Sequence, residues 1–464
     1  MIESEPSTEQ PEDGADVALH QRLHDLREDG VDTLIIGASD LNGRLRVKRF
    51  PLELFFESEV EIAFSDYVFS ADIAENLMTP RSGYQGYFPT AAAGVPDLFV
   101  RPDWDQIRVL PWEPRAALVI GDFFTREGRE LAIAPRTILK RVITRLHDRG
   151  FCPMTGVEYE FLIFKGDPSR PSNDPGSLTP LSTGPAYGYG RAALDEQYLG
   201  PLRRMLQGAG VPVEAVIPEA APGQFEITIR YSDAMSSADN AYLYKDFVHE
   251  LLGAQGLVAS FIAKYGPEYG SSGHVHISLR DESGQPLMTD ADGALSSSAR
   301  HAIAGHLATV QEFTAIYAPV VNSYSRHHSE YSFAGNTVAW GIDNRTCGLR
   351  VIHTTPNSTR LECRTPGADM NPYLTLAALL AGIGHGLEKA LDPPAAVTGD
   401  AYRADSIERL PHDLHSATEL LSRSDVARDW LGDDFVDFYT ETRMWEVQQH
   451  RISVSDWEIQ RYLR

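Results

Sequence analysis

The 464-residue chain has few of the features that mark secreted, membrane or nucleic-acid-binding proteins. Its three cysteines, Cys152, Cys347 and Cys363, do not make a disulfide framework. It has no run of eighteen apolar residues, as a transmembrane helix requires, and its acidic N-terminus lacks the basic and apolar parts of a signal peptide. A net charge of -24 argues against nucleic acid, whose backbone would be repelled. These absences predict a soluble, cytoplasmic protein without a nucleic-acid or membrane partner.

The rest of the chain is patterned for an α+β protein. Residues 1–17, rich in Glu, Pro and Ser, predict a disordered acidic tail. A helix is predicted over 18–30, followed by a hairpin turn at Asp40-Leu-Asn-Gly43 and a small mixed sheet that ends near residue 125. Beyond it, apolar spacing predicts helices and strands that carry polar residues. The helices are predicted at 135–149, 194–209, 233–254, 296–314, 371–390 and within 413–464. We expect an N-terminal domain at 18–125 and one large domain at 126–464.

Four short segments of the large domain carry an unusual density of charged residues. They read Gly156-Val-Glu158-Tyr-Glu160-Phe, Pro218-Glu219-Ala-Ala-Pro-Gly223-Gln224-Phe-Glu226, His274-Val-His276-Ile-Ser278 and Arg360-Leu-Glu362-Cys-Arg364. Alternate residues of a strand point to one face, so each segment turns its charged residues to one side, and Pro222-Gly223 predicts a turn that brings Glu219 and Glu226 together. Such strands line a polar site in which clustered carboxylates need cations.

The residue types of this site indicate the chemistry. Five glutamates and one imidazole suit Mg²⁺ or Mn²⁺ better than zinc, which prefers nitrogen and sulfur ligands. Two such ions beside arginines predict phosphoryl transfer. A single glutamate would more often be a surface salt bridge, and the inference depends on all four segments. His276 is either a hydrogen-bonded structural histidine or a residue that packs against a nucleotide base. Cys363 faces away from its neighbours and is predicted to lie in the core.

In order and spacing, these segments resemble the glutamine synthetase family in its bacterial type I branch. The resemblance covers nearly the whole chain and includes Asp40-Leu-Asn-Gly43, Pro135-Arg136, Asn322-Ser-Tyr-Ser-Arg326, Asp343-Asn-Arg-Thr346 and Asn371-Pro-Tyr-Leu374. It implies an N-terminal β-grasp domain and a catalytic domain with a curved antiparallel sheet flanked by helices. It also implies a homododecamer of two rings, with active sites between neighbouring subunits.

The resemblance assigns roles to matching positions. Two or more Mg²⁺ or Mn²⁺ ions per active site are implied, the first held by Glu160, Glu219 and Glu226 and the second by Glu158, His274 and Glu362. Positions that contact ATP in the family are matched by Glu214, His276, Ser278 and Arg350. Positions that contact L-glutamate are matched by Gly270, Arg326 and Arg364, and Arg345 lies where both substrates meet. The implied reaction phosphorylates the γ-carboxylate of glutamate, and an amine then attacks the acyl phosphate.

The chain departs from the family pattern where ammonium would bind. Ammonia-using members carry an Asp-Gly-Ser-Ser segment, whereas this chain reads Ala63-Phe-Ser-Asp66-Tyr-Val-Phe; either Asp66 substitutes for that aspartate or the site is gone. Their flap reads Arg-x-x-Pro-Gly-x-Glu-Ala-Pro, whereas this chain reads Arg326-His-His-Ser-Glu330-Tyr-Ser-Phe-Ala-Gly335. Phe333 or Ser332 stands near the place of the flap glutamate. In addition, Pro218 replaces a histidine and Asn357 replaces a lysine that contacts nucleotide.

Retained metal and glutamate residues beside an altered ammonium site resemble the γ-glutamyl-amine ligases of this family, which act on polyamines, ethanolamine or other organic amines. An authentic glutamine synthetase and an inert structural relative are the alternatives. The candidate catalytic residues are Arg345, Arg350, Glu330 and Asp66, the last two being the nearest acidic groups for a charged amine. Tyr402 lies where some relatives are adenylylated, but its flanking residues match poorly, and we interpret it as an ordinary loop residue.

Overall fold

The computed structural model describes residues 14–169, 177–266, 269–328, 333–404 and 406–463. Within these ranges, two sheets and the helices packed on them confirm the α+β class. Buried side chains from both sheets form one continuous hydrophobic cluster. No helix in these ranges has the length and apolar character that a membrane crossing requires.

The N-terminal region forms a six-stranded mixed sheet with strand order β2-β1-β6-β4-β3, and β5 also pairs with β6. Its elements are α1 (Gly14–Glu28), β1 (Thr33–Ser39), β2 (Leu45–Pro51), α2 (Leu54–Glu57), β3 (Ala63–Ser65), β4 (Asp97–Pro102), β5 (Arg108–Leu110) and β6 (Glu113–Phe124). Strands β1 and β6 are parallel, and the other pairs are antiparallel. The sheet ends at Phe124, and we propose that the domain boundary lies at 125–126, as the sequence predicts.

The predicted hairpin turn joins β1 to β2. Gly43 adopts a φ of +77°, which suits glycine, and its amide donates to the Asp40 carbonyl at 3.2 Å. The buried Asp40 carboxylate accepts from the amides of Asn42 and Arg44, both at 2.9 Å. The helix predicted from residue 18 already begins at Gly14, while the first thirteen residues of the predicted tail lie outside the described residues.

The second region contains ten strands and eleven helices among the described residues. The strands are β7 (Cys152–Lys165), β8 (Thr179–Pro180), β9 (Val213–Pro218), β10 (Gln224–Ile229), β11 (Ser232–Asp233), β12 (Leu257–Ser260), β13 (Gly273–Arg280), β14 (Trp340–Ile342), β15 (Leu349–Ile352) and β16 (Arg360–Cys363). The helices are α3 (Pro135–His147), α4 (Tyr189–Gly208), α5 (Ala234–Gly253), α6 (Ser297–Thr309), α7 (Thr314–Tyr317), α8 (Val321–Tyr324), α9 (Pro372–Lys389), α10 (Leu414–Ser422), α11 (Asp425–Leu431), α12 (Asp433–Ile452) and α13 (Asp456–Tyr462). The helix predicted over 296–314 is thus divided into α6 and α7.

Strand β7 is the centre of the second sheet, whose main path runs β14-β15-β16-β13-β7-β10-β9. Strands β8, β11 and β12 also pair with β7, and β14 with β15 is the parallel exception to antiparallel pairing in the described sheet. On one face of β7, Tyr159 and Phe161 are buried, and Tyr159 stacks on Tyr244 of α5 with 5.7 Å between ring centroids. These two rings pack this face of β7 against the core. Glu158 and Glu160, which alternate with them along the strand, therefore point to the opposite face.

Arg136, in the first turn of α3, connects the two regions. Its guanidinium donates to Asp103 at 2.6 Å, to Asp122 at 3.0 Å and to Asp239 of α5 at 3.0 Å. Asp239 also accepts from the Tyr373 hydroxyl at 2.8 Å. Burial raises the pKa of Asp239, while the charge of Arg136 opposes that rise. This network therefore connects the first sheet to the helices α3, α5 and α9 of the second region.

Candidate active site

Strand register brings the predicted site residues together on one face of the second sheet. Because alternate residues share a face, the opposed pairs form a continuous charged surface across β10, β7, β13, β16 and β15. The opposed pairs are Glu226 with Glu160, His274 with Glu158, His276 with Glu362, and Arg350 with Glu362. Residues that are distant in the chain therefore meet as direct neighbours.

The predicted Pro222-Gly223 turn is present and places Glu219 beside β10. Gly223 has a φ of +69°, and a Cβ there would lie 2.6 Å from the Ile163 carbonyl oxygen, so the turn requires glycine. The Glu219 amide donates to the Gln224 carbonyl at 2.9 Å, closing the hairpin between β9 and β10. The turn therefore directs Glu219 toward the carboxylates of β7 and β10: the charge of Glu158 acts on Glu219, and the charge of Glu219 acts on Glu160 and Glu226.

The carboxylate and imidazole atoms converge around Glu158. His276 Nε2 lies 3.0 Å from Glu158 Oε1, and His274 Nδ1 lies 3.8 Å from Glu158 Oε2 and 3.9 Å from Glu362 Oε1. Ligand atoms lie within 4.8 Å of one another in two overlapping groups. The groups are Glu158, Glu226 and His274, and Glu158, His276 and Glu362. His276, whose predicted role is nucleotide contact, thus also lies among the candidate metal ligands.

Electrostatics divide the glutamates into two classes. Burial, reinforced by the charges of Glu158 and Glu160, raises the pKa of Glu226 to about 9. Burial also raises the pKa of Glu219, and it raises that of Glu160 to about 7 against a hydrogen bond from the Ser272 amide. When these three side chains ionise, the nearby positive charges do not fully compensate their negative charge.

The other two glutamates are already compensated. Burial opposes ionisation of Glu362, but the charges of His274 and Arg364 lower its pKa to about 2. Burial likewise opposes ionisation of Glu158, and the adjacent imidazoles of His274 and His276 lower its pKa overall. Burial lowers the pKa of His274, which favours the neutral imidazole that a metal ion binds.

This donor set fits hard divalent cations. Oxygen ligands dominate, an imidazole is available in each group, and the pKa of Glu226 is raised by burial and by four neighbouring carboxylates. Glu160 Oε2 already accepts from Gln224 Nε2 at 3.0 Å and from the Ser272 amide at 2.8 Å, which orients its other oxygen. The division of ligands between a first and a second ion, inferred from the family resemblance, stays a prediction.

Two arginines hold Glu362 from opposite sides. Arg350 Nη1 lies 2.7 Å from Glu362 Oε2, and Arg364 Nη1 donates to Glu362 Oε1. Arg350 also donates from Nε to Asp343 Oδ1 at 2.9 Å. Arg364 Nη2 donates to the carbonyl oxygen of Phe333 at 3.3 Å. The predicted ATP and glutamate arginines therefore meet at one candidate metal ligand.

Arg326 and Gly270, both predicted to contact glutamate, are direct neighbours. A Cβ at Gly270 would lie 2.7 Å from Arg326 Cγ, so the close approach depends on glycine. The Arg326 side chain is 1% exposed and donates to the Thr365 carbonyl and the Ser272 hydroxyl, both at 3.2 Å. Its Nε lacks a hydrogen-bond partner among the described residues, which leaves donor capacity for a ligand.

A cleft of about 380 Å³ opens beside the carboxylates and fits the predicted nucleotide contacts. Three of the four residues predicted to contact ATP, Glu214, His276 and Ser278, line this cleft, and so does Asn357. Arg350 does not line it, because its guanidinium is engaged with Glu362 and Asp343. Tyr231 adds an aromatic wall beside the backbone of Gly156.

The remaining catalytic candidates are not part of the carboxylate cluster. Asp66 lies in the N-terminal region, is 1% exposed, and accepts from the Tyr87 hydroxyl at 3.2 Å. Burial raises the pKa of Asp66. Arg345 is exposed, and its charge acts on Asp343 and Tyr187. Glu330 lies outside the described residues.

The structure adds Tyr187 and Gln224 to the candidate site. Tyr187 has a φ of +58°, and its amide donates to the Pro218 carbonyl at 2.9 Å. Burial raises the pKa of its phenol, and the charges of Glu219 and Glu226 raise it further. Gln224 could have been assigned from its alternation with Glu226, whereas Tyr187 lies in a loop rich in glycine and proline without a local signal.

Comparison with known proteins agrees with this geometry. The family model "Glutamine synthetase, catalytic domain" matches residues 132–462. Three curated relatives are similar along most of their length. Type-1 glutamine synthetase 2 of Dictyostelium discoideum is 37% identical over 92% of this chain and 83% of the relative. Glutamate--isopropylamine ligase of a Pseudomonas species is 34% identical over 94% and 96%. Gamma-glutamylethanolamide synthetase GlnA4 of Streptomyces coelicolor is 36% identical over 95% of each chain.

A solved structure extends the match to three dimensions. The structure titled "GmaS/ADP complex-Conformation 1" superposes with a TM-score of 0.82 at 27% identity, over 95% of this chain and 99% of the other. The family model covers residues 132–462, and the similarity to the curated relatives and the superposition extend over nearly the whole chain. The chain therefore belongs to the glutamine synthetase family of ATP-dependent ligases.

Proposed function

We propose that this protein ligates an organic amine to the γ-carboxylate of L-glutamate, with ATP as the phosphoryl donor and γ-glutamyl phosphate as the intermediate. The observation that carries the proposal is the convergence of four glutamates and two histidines on one sheet face, with Glu219 in the adjoining turn, beside a cleft and a buried arginine. Two divalent ions bound there would neutralise the phosphate oxygens during transfer.

The protein residues have distinct roles in this proposal. ATP binds in the cleft to Glu214, His276 and Ser278, and Arg350 holds Glu362 in place through their ion pair. Arg326 and Arg364, with the bare backbone of Gly270, bind the carboxylates of glutamate, since guanidinium groups match carboxylates through paired charge-assisted hydrogen bonds. Arg345 stabilises the charge of the phosphoryl group between the two substrates.

The attacking amine must lose a proton, so the proposal includes an acidic residue near its entry. Asp66 and Glu330 are the candidates. Within one chain Asp66 contacts Tyr87 rather than the carboxylate cluster. This separation supports a site completed by the N-terminal region of a neighbouring subunit, and we include a homododecamer with shared active sites, in the cytoplasm, in the proposal.

An organic amine is favoured over ammonia by two independent observations. The ammonium segment and the flap glutamate of ammonia-using members are altered at Asp66 and Phe333. Two of the similar relatives carry the names of amine ligases, for isopropylamine and for ethanolamide formation. Both names indicate short amines with an alkyl part, which is the kind of substrate that an apolar side chain in place of a carboxylate accommodates.

An authentic glutamine synthetase is the second candidate, favoured by the relative from Dictyostelium discoideum that bears that name. An inert relative is disfavoured by the energetics of the site. Burial, reinforced by neighbouring carboxylates, raises the pKa values of Glu160, Glu219 and Glu226, and ionising such a buried cluster is costly unless it binds cations.

The test is an amine screen with purified protein, ATP, Mg²⁺ and glutamate. Ammonium, ethanolamine, isopropylamine, putrescine and spermidine are compared by kcat/KM from phosphate release, and each product is identified by mass. A Glu226→Gln variant purified in parallel controls for contaminating ligase. We expect at least one organic amine to exceed ammonium. If ammonium equals or exceeds every organic amine, the chain is a glutamine synthetase.

A further inference from the structure

A carboxylate with no role in the proposed reaction, that of Asp369, lies near the Arg326 guanidinium. Asp369 is in the turn after β16, and a Cβ placed on Gly367 of that turn would lie 2.2 Å from Asp369 Oδ1 and 3.0 Å from Arg326 Nη1. Both charged groups therefore approach the same bare glycine. Burial lowers the pKa of Arg326. Among the neighbouring charges, that of Asp369 opposes this most strongly, ahead of that of Glu160.

Asp369 is itself held in place from two sides. Ser323 Oγ donates to Asp369 Oδ2 at 2.5 Å. Lys245 Nζ, from α5, donates to the carbonyl oxygens of the two residues that flank Asp369, at 2.8 Å for Ala368 and 3.2 Å for Met370. Asp369 Oδ1 is buried and has no hydrogen-bond partner among the described residues. The carboxylate is thus fixed in position while one oxygen remains available on the side of Gly367.

Arg326 needs such a partner because its other contacts are neutral. Its guanidinium is almost fully buried and donates to a carbonyl and a hydroxyl, neither of which compensates a full positive charge. The second carboxylate whose charge acts on it is Glu160, a candidate metal ligand. If Glu160 were the sole counter-ion, the guanidinium would be drawn toward the metal site and away from the place where glutamate is proposed to bind.

We propose that Asp369 is a positioning residue that holds Arg326 in the orientation that binds glutamate. This inference rests on the proposed role of Arg326 in glutamate binding. Asp369 does not contact the substrate in this arrangement. It balances the buried charge from behind, so that the guanidinium keeps donor atoms free toward the substrate side.

The test compares Asp369→Asn, Arg326→Ala and the double variant by steady-state kinetics with the preferred amine. Asp369→Asn keeps the size of the side chain and removes its charge. We expect it to raise the glutamate KM at least tenfold, with the ATP KM changed less than twofold. Because Asp369 acts through Arg326, adding Asp369→Asn to Arg326→Ala is expected to change the glutamate KM less than threefold further.

Asp246→Asn is the matched control. Asp246 lies next to Lys245 on α5 and lines the same cavity as Asp369. The charges that act on Asp246 are those of Lys245, Asp40 and Arg44, and Arg326 is not among them. It is expected to leave the glutamate KM within twofold. If Asp369→Asn does not fold, Ser323→Ala replaces it and should raise the same KM by a smaller factor, about threefold.

The outcomes separate the two proposals. An unchanged glutamate KM in Arg326→Ala overturns the proposed role of Arg326. A raised KM in Arg326→Ala with an unchanged KM in Asp369→Asn overturns the positioning role alone. The positioning role is also overturned if the two substitutions multiply their effects on the glutamate KM in the double variant. A parallel rise of the glutamate and ATP KM values overturns it as well, because such a rise would indicate general structural damage.

Discussion

Arg350 and Glu362 face each other across β15 and β16, with 2.7 Å between Arg350 Nη1 and Glu362 Oε2. The same guanidinium donates to Asp343, which begins the loop that carries Arg345. One side chain therefore connects a candidate metal ligand to the loop where the two substrates are proposed to meet. Burial raises the pKa of Glu362, but the charges of His274, Arg364, His276 and then Arg350 lower it to about 2.

Replacing Arg350 with Ala is expected to raise the ATP KM about tenfold while the glutamate KM changes less than twofold. The proposed contact of Arg350 with ATP is a hydrogen bond between charged groups, which typically contributes about 1.5–3 kcal/mol, and tenfold corresponds to about 1.4 kcal/mol. Steady-state titrations of each substrate measure both constants. A larger effect on glutamate than on ATP would contradict the nucleotide assignment.

Replacing Glu160, Glu219 or Glu226 with Ala is expected to abolish phosphate release with every amine tested. Each variant removes one of the three carboxylates that are proposed to bind the first divalent ion, so the binding of that ion is weakened. Phosphate release is measured at increasing Mg²⁺ concentrations. Normal turnover of all three variants at ordinary Mg²⁺ would contradict the metal site.

The stability of the metal-free protein is expected to fall as the pH rises from 5.5 to 8.5. The unfolded chain releases the Glu226 proton near its ordinary pKa, whereas the folded protein retains it up to about 9, so folding binds a proton across this range. Melting temperatures in EDTA, compared between wild type and Glu226→Gln, measure the effect. The variant should show a flatter profile, and excess Mg²⁺ should flatten the profile of the wild type. Equal slopes in EDTA for both proteins would remove Glu226 as the cause.

Replacing Phe333 with Ala is expected to lower kcat/KM for isopropylamine about tenfold and leave that for ammonium within twofold. Phe333 is 47% exposed, lies 6.5 Å from Tyr402 between ring centroids, and offers its carbonyl to Arg364. Apolar contact contributes about 0.8 kcal/mol per buried CH₂, so loss of contact with two methylene-sized groups accounts for the factor. Ammonium serves as the internal control, and an equal loss for both amines would place Phe333 outside the amine site.

Replacing Asp239 with Asn is expected to lower the free energy of unfolding by about 3–5 kcal/mol, because it leaves the buried Arg136 charge less compensated. Asp105→Asn is the control, since its salt bridge with Arg22 is exposed and such pairs contribute about 0–1 kcal/mol. Urea unfolding at matched protein concentration measures both variants. Equal effects would show that the network at Arg136 does not hold the two regions together.

The part of the site that is local in the chain could be predicted from the sequence. Alternation along a strand brings Glu158 with Glu160, and His274 with His276, whatever the partner strands are. The contact between His276 and Glu158 could not be predicted, because it depends on the register of β13 against β7. Tyr187 and Asp369 were missed for a related reason: each lies in a loop whose course is set by residues far away in the chain.

The same distinction applies to the fold. Caps and turns with glycine or proline predicted the hairpin at Gly43 and the start of α3 at Pro135. The division between α6 and α7 was not predicted, because the apolar residues from 310 to 316 keep a spacing that suits one continuous helix. Tertiary packing, which buries Phe313 and Ile316 completely or almost so, decides where that helix ends.

The arrangement of strands around β7 has a consequence for how fast the protein folds. Its partners come from segments between residues 179 and 280, and within the described ranges β13 and β16 connect β7 to Glu362. Closing such long loops loses chain entropy before the contacts form, so sheets of this kind fold slowly and expose unpaired strand edges meanwhile. Because the carboxylates meet only when these strands have paired, we expect Mg²⁺ present during refolding to act on the final assembly of the sheet rather than on its first contacts.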